Sequence, residues 1–322
     1  MMNKMMRFFS FLLLFAGILA LAACGRASND DDTYDTSPTT PGAVTPNLGT
    51  DPVGARFIPV DNPVRPDVTS GVLPTPTPWP IAQDLLQRRP VALQLQPMTP
   101  GEEVVVMQTN HGEIVLRLFP QAAPLAVENF MTHVANGFYD GLIFHRVIEG
   151  FMIQGGCSQG TGMSGRSIWD VGFGPEHNYD LWHFNGALAM AQTNAGNSIG
   201  SQFYIVHRNF LPAMFANEFA SILEIQNDIL YPADWDGSEP HLTYGDVFLR
   251  EVFEHFLEVG GTPDLDFPFN HNGPNFGHTV FGQVVQGMDI VNSIATVATA
   301  AQDRPVEDVI IERAFIAVYM GQ

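Results

Sequence analysis

Short β-type runs recur through the last two thirds of this chain, at 143–148, 151–155, 186–191, 202–206, 279–285 and 309–319, with glycine-rich turns between them. Ahead of them, "EVVVMQ" and "EIVLRLF" flank the four-residue turn "TNHG", which is a hairpin signal. Helical patterns are few. In "PQAAPLAVENFMTHVANGFYDG", Leu125, Phe130, Val134 and Phe138 approximate helical spacing, and Pro124 suits a first helical turn. A second short helix is expected over 288–295. Many short strands with two helices predict a mainly β fold, a closed or nearly closed antiparallel barrel.

Two segments fall outside that rhythm. From His207 to about Asn275 the pattern turns helical, in "LPAMFANEFASILEIQNDIL" and "YGDVFLREVFEHFLEVGG". This predicts a helical insertion over 208–275, two amphipathic helices on the barrel's surface. Residues 208–266 hold 12 acidic and 2 basic side chains, half of the chain's net charge of −20. The insertion reads either as a lip for substrate or an unknown partner, or as a solvated decoration. The other segment, 24–100, is rich in Pro, Thr, Asp and Gly, as in "DTSPTTPGAVTP" and "VLPTPTPWP". Such sequence buries too little apolar surface to offset ordering entropy, so an extended tether is expected. A proline-rich docking ligand is the other reading. The folded domain then spans 101–322.

The N-terminus carries Lys4 and Arg7, then an apolar run over 8–23 that ends in "LAAC" at Cys24. That is the n-region and h-region of a secretory signal, and about sixteen apolar residues are short for a spanning helix. Small residues before a cysteine here resemble a bacterial lipoprotein signal. The resemblance implies removal of 1–23, lipid on Cys24, and attachment to the outer face of the bacterial cytoplasmic membrane. Cys157 would then be the remaining cysteine, so no intrachain disulfide is possible. With 34 acidic against 14 basic residues, the chain repels phosphate backbones, and nucleic acid is not an expected partner.

The stretch "FHRVIEGFMIQGG" over 144–156 sets one arginine, Arg146, among Phe144, Val147, Ile148, Phe151, Met152 and Ile153. It is followed in order by "GALAMAQT" (186–193), "GSQFYI" (200–205) and "HTVFGQVVQGMDIV" (278–291). These four blocks resemble the cyclophilin-type peptidyl-prolyl cis-trans isomerases, with Glu149 where proline is common. The resemblance covers about 102–320, interrupted by the insertion. It implies an eight-stranded antiparallel barrel capped by two helices, no cofactor, and Xaa-Pro segments of unfolded or exported proteins as substrates.

That chemistry accounts for a lone guanidinium on an apolar floor. Turning an Xaa-Pro bond breaks no bond; the barrier of about 18–20 kcal/mol is amide resonance. A catalyst need only favour the twisted amide, whose pyramidal nitrogen has a lone pair, and a fixed donor aimed at that nitrogen does so. Arginine stays charged and holds its donors rigidly. The resemblance implies this role for Arg146. It places Phe151, Met152 and Tyr204 around the proline ring, Gln154 and Gln202 on the substrate backbone or on Arg146, Ala191 and Gln192 along the groove, and His278 at the rim. Tyr204 stands where phenylalanine is usual, so its hydroxyl must point away or reach water. The family's aromatic-Leu-Asp-Gly run before the last histidine is replaced by "NGPNFG", while "PDLD" occurs earlier, at 263–266. Leu265 or Phe276 would then supply the outer wall, which puts binding of cyclosporin-like macrocycles in doubt.

Other readings are weaker. Arg146 could pair with Glu149 or Glu176 for stability alone. Phe151 and Met152 would point to opposite faces if they shared a regular strand. "GGCSQGTGMSG" lacks the Gly-Lys-Ser/Thr of a phosphate loop, no histidines have metal-ligand spacing, and "NDDD" is no calcium loop. A proline-peptide binding module or holdase, using the same groove without turnover, is the alternative function.

Overall fold

The computed structural model describes residues 56–60, 92–177, 179–193, 197–224, 229–230, 242–243, 249–266 and 277–321. The chain enters on a short strand, β1 (Phe57–Pro59), then forms the predicted hairpin β2 (Glu103–Thr109) and β3 (Gly112–Leu118). Helix α1 (Pro124–Ala135) leads to β4 (Arg146–Ile148), β5 (Met152–Gly155), β6 (Ala187–Met190) and β7 (Phe203–Val206). The insertion contributes α2 (Ala213–Glu224), a separate pair β8 (Ile229–Leu230) and β9 (Leu242–Thr243), and α3 (Arg250–Val259). The chain ends with β10 (Val280–Gln286), α4 (Met288–Ala295) and β11 (Ile311–Tyr319).

One antiparallel sheet runs in the order β1-β11-β2-β3-β10-β6-β7-β5-β4. Eight of its nine strands are those of the expected barrel. Among the described residues no full ladder closes it. Instead the lead-ins to β4 and β11 meet at an isolated bridge, Ile143 to Ile310, where Phe144 N donates to Val309 O at 2.9 Å and Ile311 N to Leu142 O at 2.8 Å.

The ninth strand corrects the reading of 24–100 as tether throughout. Phe57–Pro59 pairs with β11, and the Phe57 ring lies 5.7 Å from Tyr319. Pro59 is tolerated because β1 is an edge strand. A second piece of that segment, the 3-10 turn Leu93–Leu95, also joins the fold: Ala92 and Leu93 are buried, and Arg117 donates to Gln96 O while pairing with Glu102 at 2.8 Å.

Period-2 alternation sends Ile153, Phe203, Ile205, Leu188, Met190 and Phe281 into the barrel. Phe130 of α1 fills its middle, with ring centroids 5.4 Å from Phe203, 5.2 Å from Phe281 and 5.1 Å from Tyr139. Removing such a ring costs about 3–5 kcal/mol. The N-terminus of α1 has no capping side chain of its own, and Pro124 lacks an N–H. Glu176 reaches in from far along the chain, accepting from Leu125 N at 3.1 Å and Ala126 N at 2.9 Å. An orphan pair of helix N–H groups is thereby satisfied by a negative charge. Glu176 is thus occupied at α1, and it does not serve as the counter-ion of Arg146.

The insertion has its own small core. Phe219 of α2 lies 4.4 Å from Phe253 of α3, and Phe256 lies 4.6 Å from Phe184. The helices are therefore attached to the barrel at 182–184, where Trp182 also meets Phe256 edge-on at 6.3 Å.

His133 of α1 is buried against Arg166 O, at 3.0 Å, and burial lowers its pKa to about 4. The unfolded chain binds a proton there below about pH 6.5, which the folded chain refuses until about pH 4. Stability therefore falls as pH drops through that window, by about 2 kcal/mol from this group at pH 5. Urea unfolding at pH 7.5 and 5.0 is expected to show a shallower loss in His133→Gln than in the parent; equal losses would assign the acid sensitivity elsewhere.

Candidate active site

On the barrel's outer face the strand register assembles a single row of side chains. Arg146 of β4 faces Gln154 of β5, Gln154 faces Tyr204 of β7, Tyr204 faces Ala189 of β6, and Ala189 faces Val280 of β10. The next row pairs Ile148 with Met152 and Met152 with Val206. Neighbouring strands lie about 4.8 Å apart, so Arg146 and Tyr204 sit about 10 Å apart across Gln154. Met152, Ala187, Ala189, Tyr204, Val206 and Val280 are buried in one apolar cluster, and Ile148, Phe151, Ala191 and Leu265 pack against it half-buried. The result is an apolar floor with a guanidinium at one end.

Phe151 and Met152 both reach this cluster because they do not share a regular strand. Residues 148–151 form a turn in which Phe151 N donates to Ile148 O at 3.1 Å, and Gly150 takes φ +72°. A type II turn needs that left-handed position, and its preceding position favours proline. Glu149 fills that place here. Phe151 leaves from the end of the turn, and β5 begins with Met152.

Arg146 is held at its inner nitrogen: Nε lies 3.3 Å from Asp303 Oδ2, and 38% of the side chain is exposed. Asp303 ends a 3-10 turn, Ala301–Asp303, in which Gln302 and Asp303 take φ of +62° and +59°. The partner of Arg146 is thus neither Glu149 nor Glu176. Gln154 Nε2 donates to Gln202 Oε1 at 2.9 Å. Gln202 in turn donates to Gly162 O at 2.9 Å and Ser164 O at 2.7 Å. The two glutamines therefore tie the row to the 157–164 loop.

Past β6, Ala191 N donates to Gln202 O at 3.0 Å, and Gln192 Nε2 donates to Gly277 O at 2.7 Å. His278 lies half-buried beside Tyr204, with ring centroids 5.8 Å apart, and its backbone N donates to Leu265 O at 3.0 Å. Leu265 thus reaches the pocket despite the altered run before His278; Phe276 lies outside the described residues, as does Cys24. The Tyr204 hydroxyl points away from water: it sits 2.9 Å from His183 Nε2, and His183 Nδ1 lies 2.6 Å from Asp266 Oδ1.

Sequence reasoning passed over three of these residues. Asp303 and His183 carry no local motif. Asp266 stands in the noted "PDLD", but its role appears only when the insertion is folded. The available signal was Tyr204 itself, since a phenol in an apolar wall needs a partner. Among the described residues no group of three or more His, Cys, Asp or Glu could hold a metal ion, and no helix is long and apolar enough to cross a membrane.

Comparison with known proteins identifies the family. The family profile described as "Cyclophilin type peptidyl-prolyl cis-trans isomerase/CLD" matches residues 104–316. A Staphylococcus epidermidis protein named "Putative peptidyl-prolyl cis-trans isomerase" is 41% identical over 213 residues, 66% of this chain and 90% of that protein. A Staphylococcus aureus protein of the same name is 39% identical over 212 residues, with the same coverage. A crystal structure of a Cryptosporidium parvum cyclophilin covers 67% of this chain and 97% of its own, at 24% identity and a TM-score of 0.46. The profile match spans most of the barrel, and with these relatives it places the chain in the cyclophilin-type peptidyl-prolyl cis-trans isomerase family, as an enzyme of that class.

Proposed function

We propose that Arg146 stabilises the twisted prolyl amide of an Xaa-Pro segment seated against Phe151, Met152 and Tyr204. The observation that carries this reading is the cross-strand row that sets a partly exposed guanidinium beside an apolar floor. Asp303 occupies Nε, which leaves the two terminal nitrogens of Arg146 available as donors. The proline ring fits the apolar cluster, while Gln154, Gln202, Ala191 and Gln192 lie along the path of the flanking peptide. His278 and Leu265 form the far wall.

The enzyme would act on proteins emerging at the outer face of the bacterial cytoplasmic membrane, held there by lipid on Cys24. The run over 8–23 and the "LAAC" that follows it support that location. Proline isomerisation takes tens to hundreds of seconds, so exported chains benefit from a catalyst kept where they fold.

Exchange of a short Xaa-Pro peptide, followed by NMR, tests the arginine. Arg146→Ala is expected to lose about a hundredfold or more, the cost of one transition-state donor. Asp303→Ala is expected to lose less than about fivefold, because an ion pair this exposed is worth about 0.2–1 kcal/mol. Equal rates in the parent and Arg146→Ala would end the arginine account; peptide binding by the parent without faster exchange would favour the binding module. For the anchor, Cys24→Ala expressed in a bacterial host is expected to move the protein out of the membrane fraction and to abolish incorporation of labelled fatty acid. A variant still acylated and sedimenting with membranes would refute lipid attachment at this cysteine.

A further inference from the structure

Tyr204 is anchored from behind by a buried chain that ends in the insertion. Its hydroxyl lies 2.9 Å from His183 Nε2, and His183 Nδ1 lies 2.6 Å from Asp266 Oδ1. Tyr204, His183 and Asp266 are all buried. The same carboxylate accepts the His183 backbone N–H at 3.0 and 3.3 Å. Burial lowers His183 to about 3, so its ring is neutral near pH 7 and each nitrogen has one partner. Buried polar groups linked in this way restrict the ring they hold.

Asp266 follows directly on the 3-10 turn Pro263–Leu265, which lies within the insertion after α3. That turn touches the pocket at three more points. Leu265 packs on the apolar cluster, and its carbonyl accepts His278 N. Asp264 pairs with Arg208 Nη1 at 3.5 Å. Arg208 Nε donates to Gly150 O at 2.8 Å, and its guanidinium carbon lies 5.8 Å from the centroid of Phe151. Upstream, Phe256 of α3 packs against Trp182 and Phe184, on both sides of His183, and Thr262 N donates to His183 O at 2.8 Å.

We propose that the 263–266 turn is a positioning device for the proline pocket, in which Asp266 and His183 act through the Tyr204 hydroxyl to hold one aromatic wall in place. The insertion is thereby coupled to isomerisation rather than appended to it. This rests on the assignment of Arg146 and Tyr204 to the pocket. Asp266 and His183 are positioning residues, since neither touches substrate. A wall that drifts by a fraction of an ångström spoils the alignment of the twisted amide with its donor.

The test uses the full-length chain and four variants: Asp266→Asn, Tyr204→Phe, their double mutant, and Arg146→Ala. Peptide exchange gives kcat and KM, and urea midpoints give stability. Asp266→Asn and Tyr204→Phe are each expected to lower kcat/KM about fivefold, and the double mutant no further, because both cut one chain. Asp266→Asn is expected to lower the urea midpoint in both backgrounds, since its bonds to the His183 backbone do not involve Tyr204. The proposal is overturned if the double mutant shows the product of the two single losses, or if Asp266→Asn leaves kcat/KM unchanged. Should Asp266→Asn fail to fold, Tyr204→Phe decides: kcat/KM within twofold of the parent would sink the proposal. Arg146→Ala separates the two levels. Full activity in that variant refutes the pocket assignment, whereas loss there with additive losses elsewhere refutes only the coupling.

Discussion

Everything at this site depends on strand register. In β5, β6 and β7 every second side chain enters the barrel, and the intervening ones form the outer floor. A slip of one residue would exchange the two sets, placing Phe203 and Ile205 outside and burying Gln154 in the core. Such a slip is strongly opposed, because Phe130 of α1 packs against Phe203 and Phe281 at once. The interior aromatics thus fix which face Tyr204 and Gln154 present. The geometry of the outer row is set by packing on the inside.

Loops then supply what the strands cannot. Asn129 of α1 donates to Gly200 O at 2.8 Å and accepts from Ile168 N at 3.0 Å. Tyr139 donates to Ser201 O at 3.0 Å. These bonds tether the approach to β7, and with it Gln202, to the helix that fills the barrel and to the turn that follows it. The 157–164 loop is held from the other side by the Gln202 amide. Polar groups in the pocket wall are therefore held by half-buried neighbours, and Arg146, held at Nε by Asp303, stays partly exposed at the open end.

Much of this was legible in the residues. Alternation and turn chemistry located β2 to β7, β10 and β11, and the 144–156 stretch singled out Arg146. Helical spacing found α1 and α4 and both helices of the insertion. What escaped had a common physical cause, dependence on partners far away in the chain. β1 is three residues in proline-rich sequence, and its order comes from β11. Asp303 meets Arg146 across 157 positions, and Asp266 meets His183 across 83. The conflict over Phe151 and Met152 arose from extending β5 one residue too far; the turn at Gly150 resolves it.

The pairing of β1 with β11 also sets a length. If lipid on Cys24 is the anchor, as proposed, the span of chain between anchor and domain ends at Phe57 and not at the hairpin that begins with Glu103. That leaves about 33 residues instead of about 79, and a fully extended reach of about 110 Å instead of about 270 Å. The volume in which the enzyme can meet a client scales steeply with that radius. Under the proposed anchor, three residues of edge strand cut by more than half the greatest distance at which the pocket can stand from the bilayer.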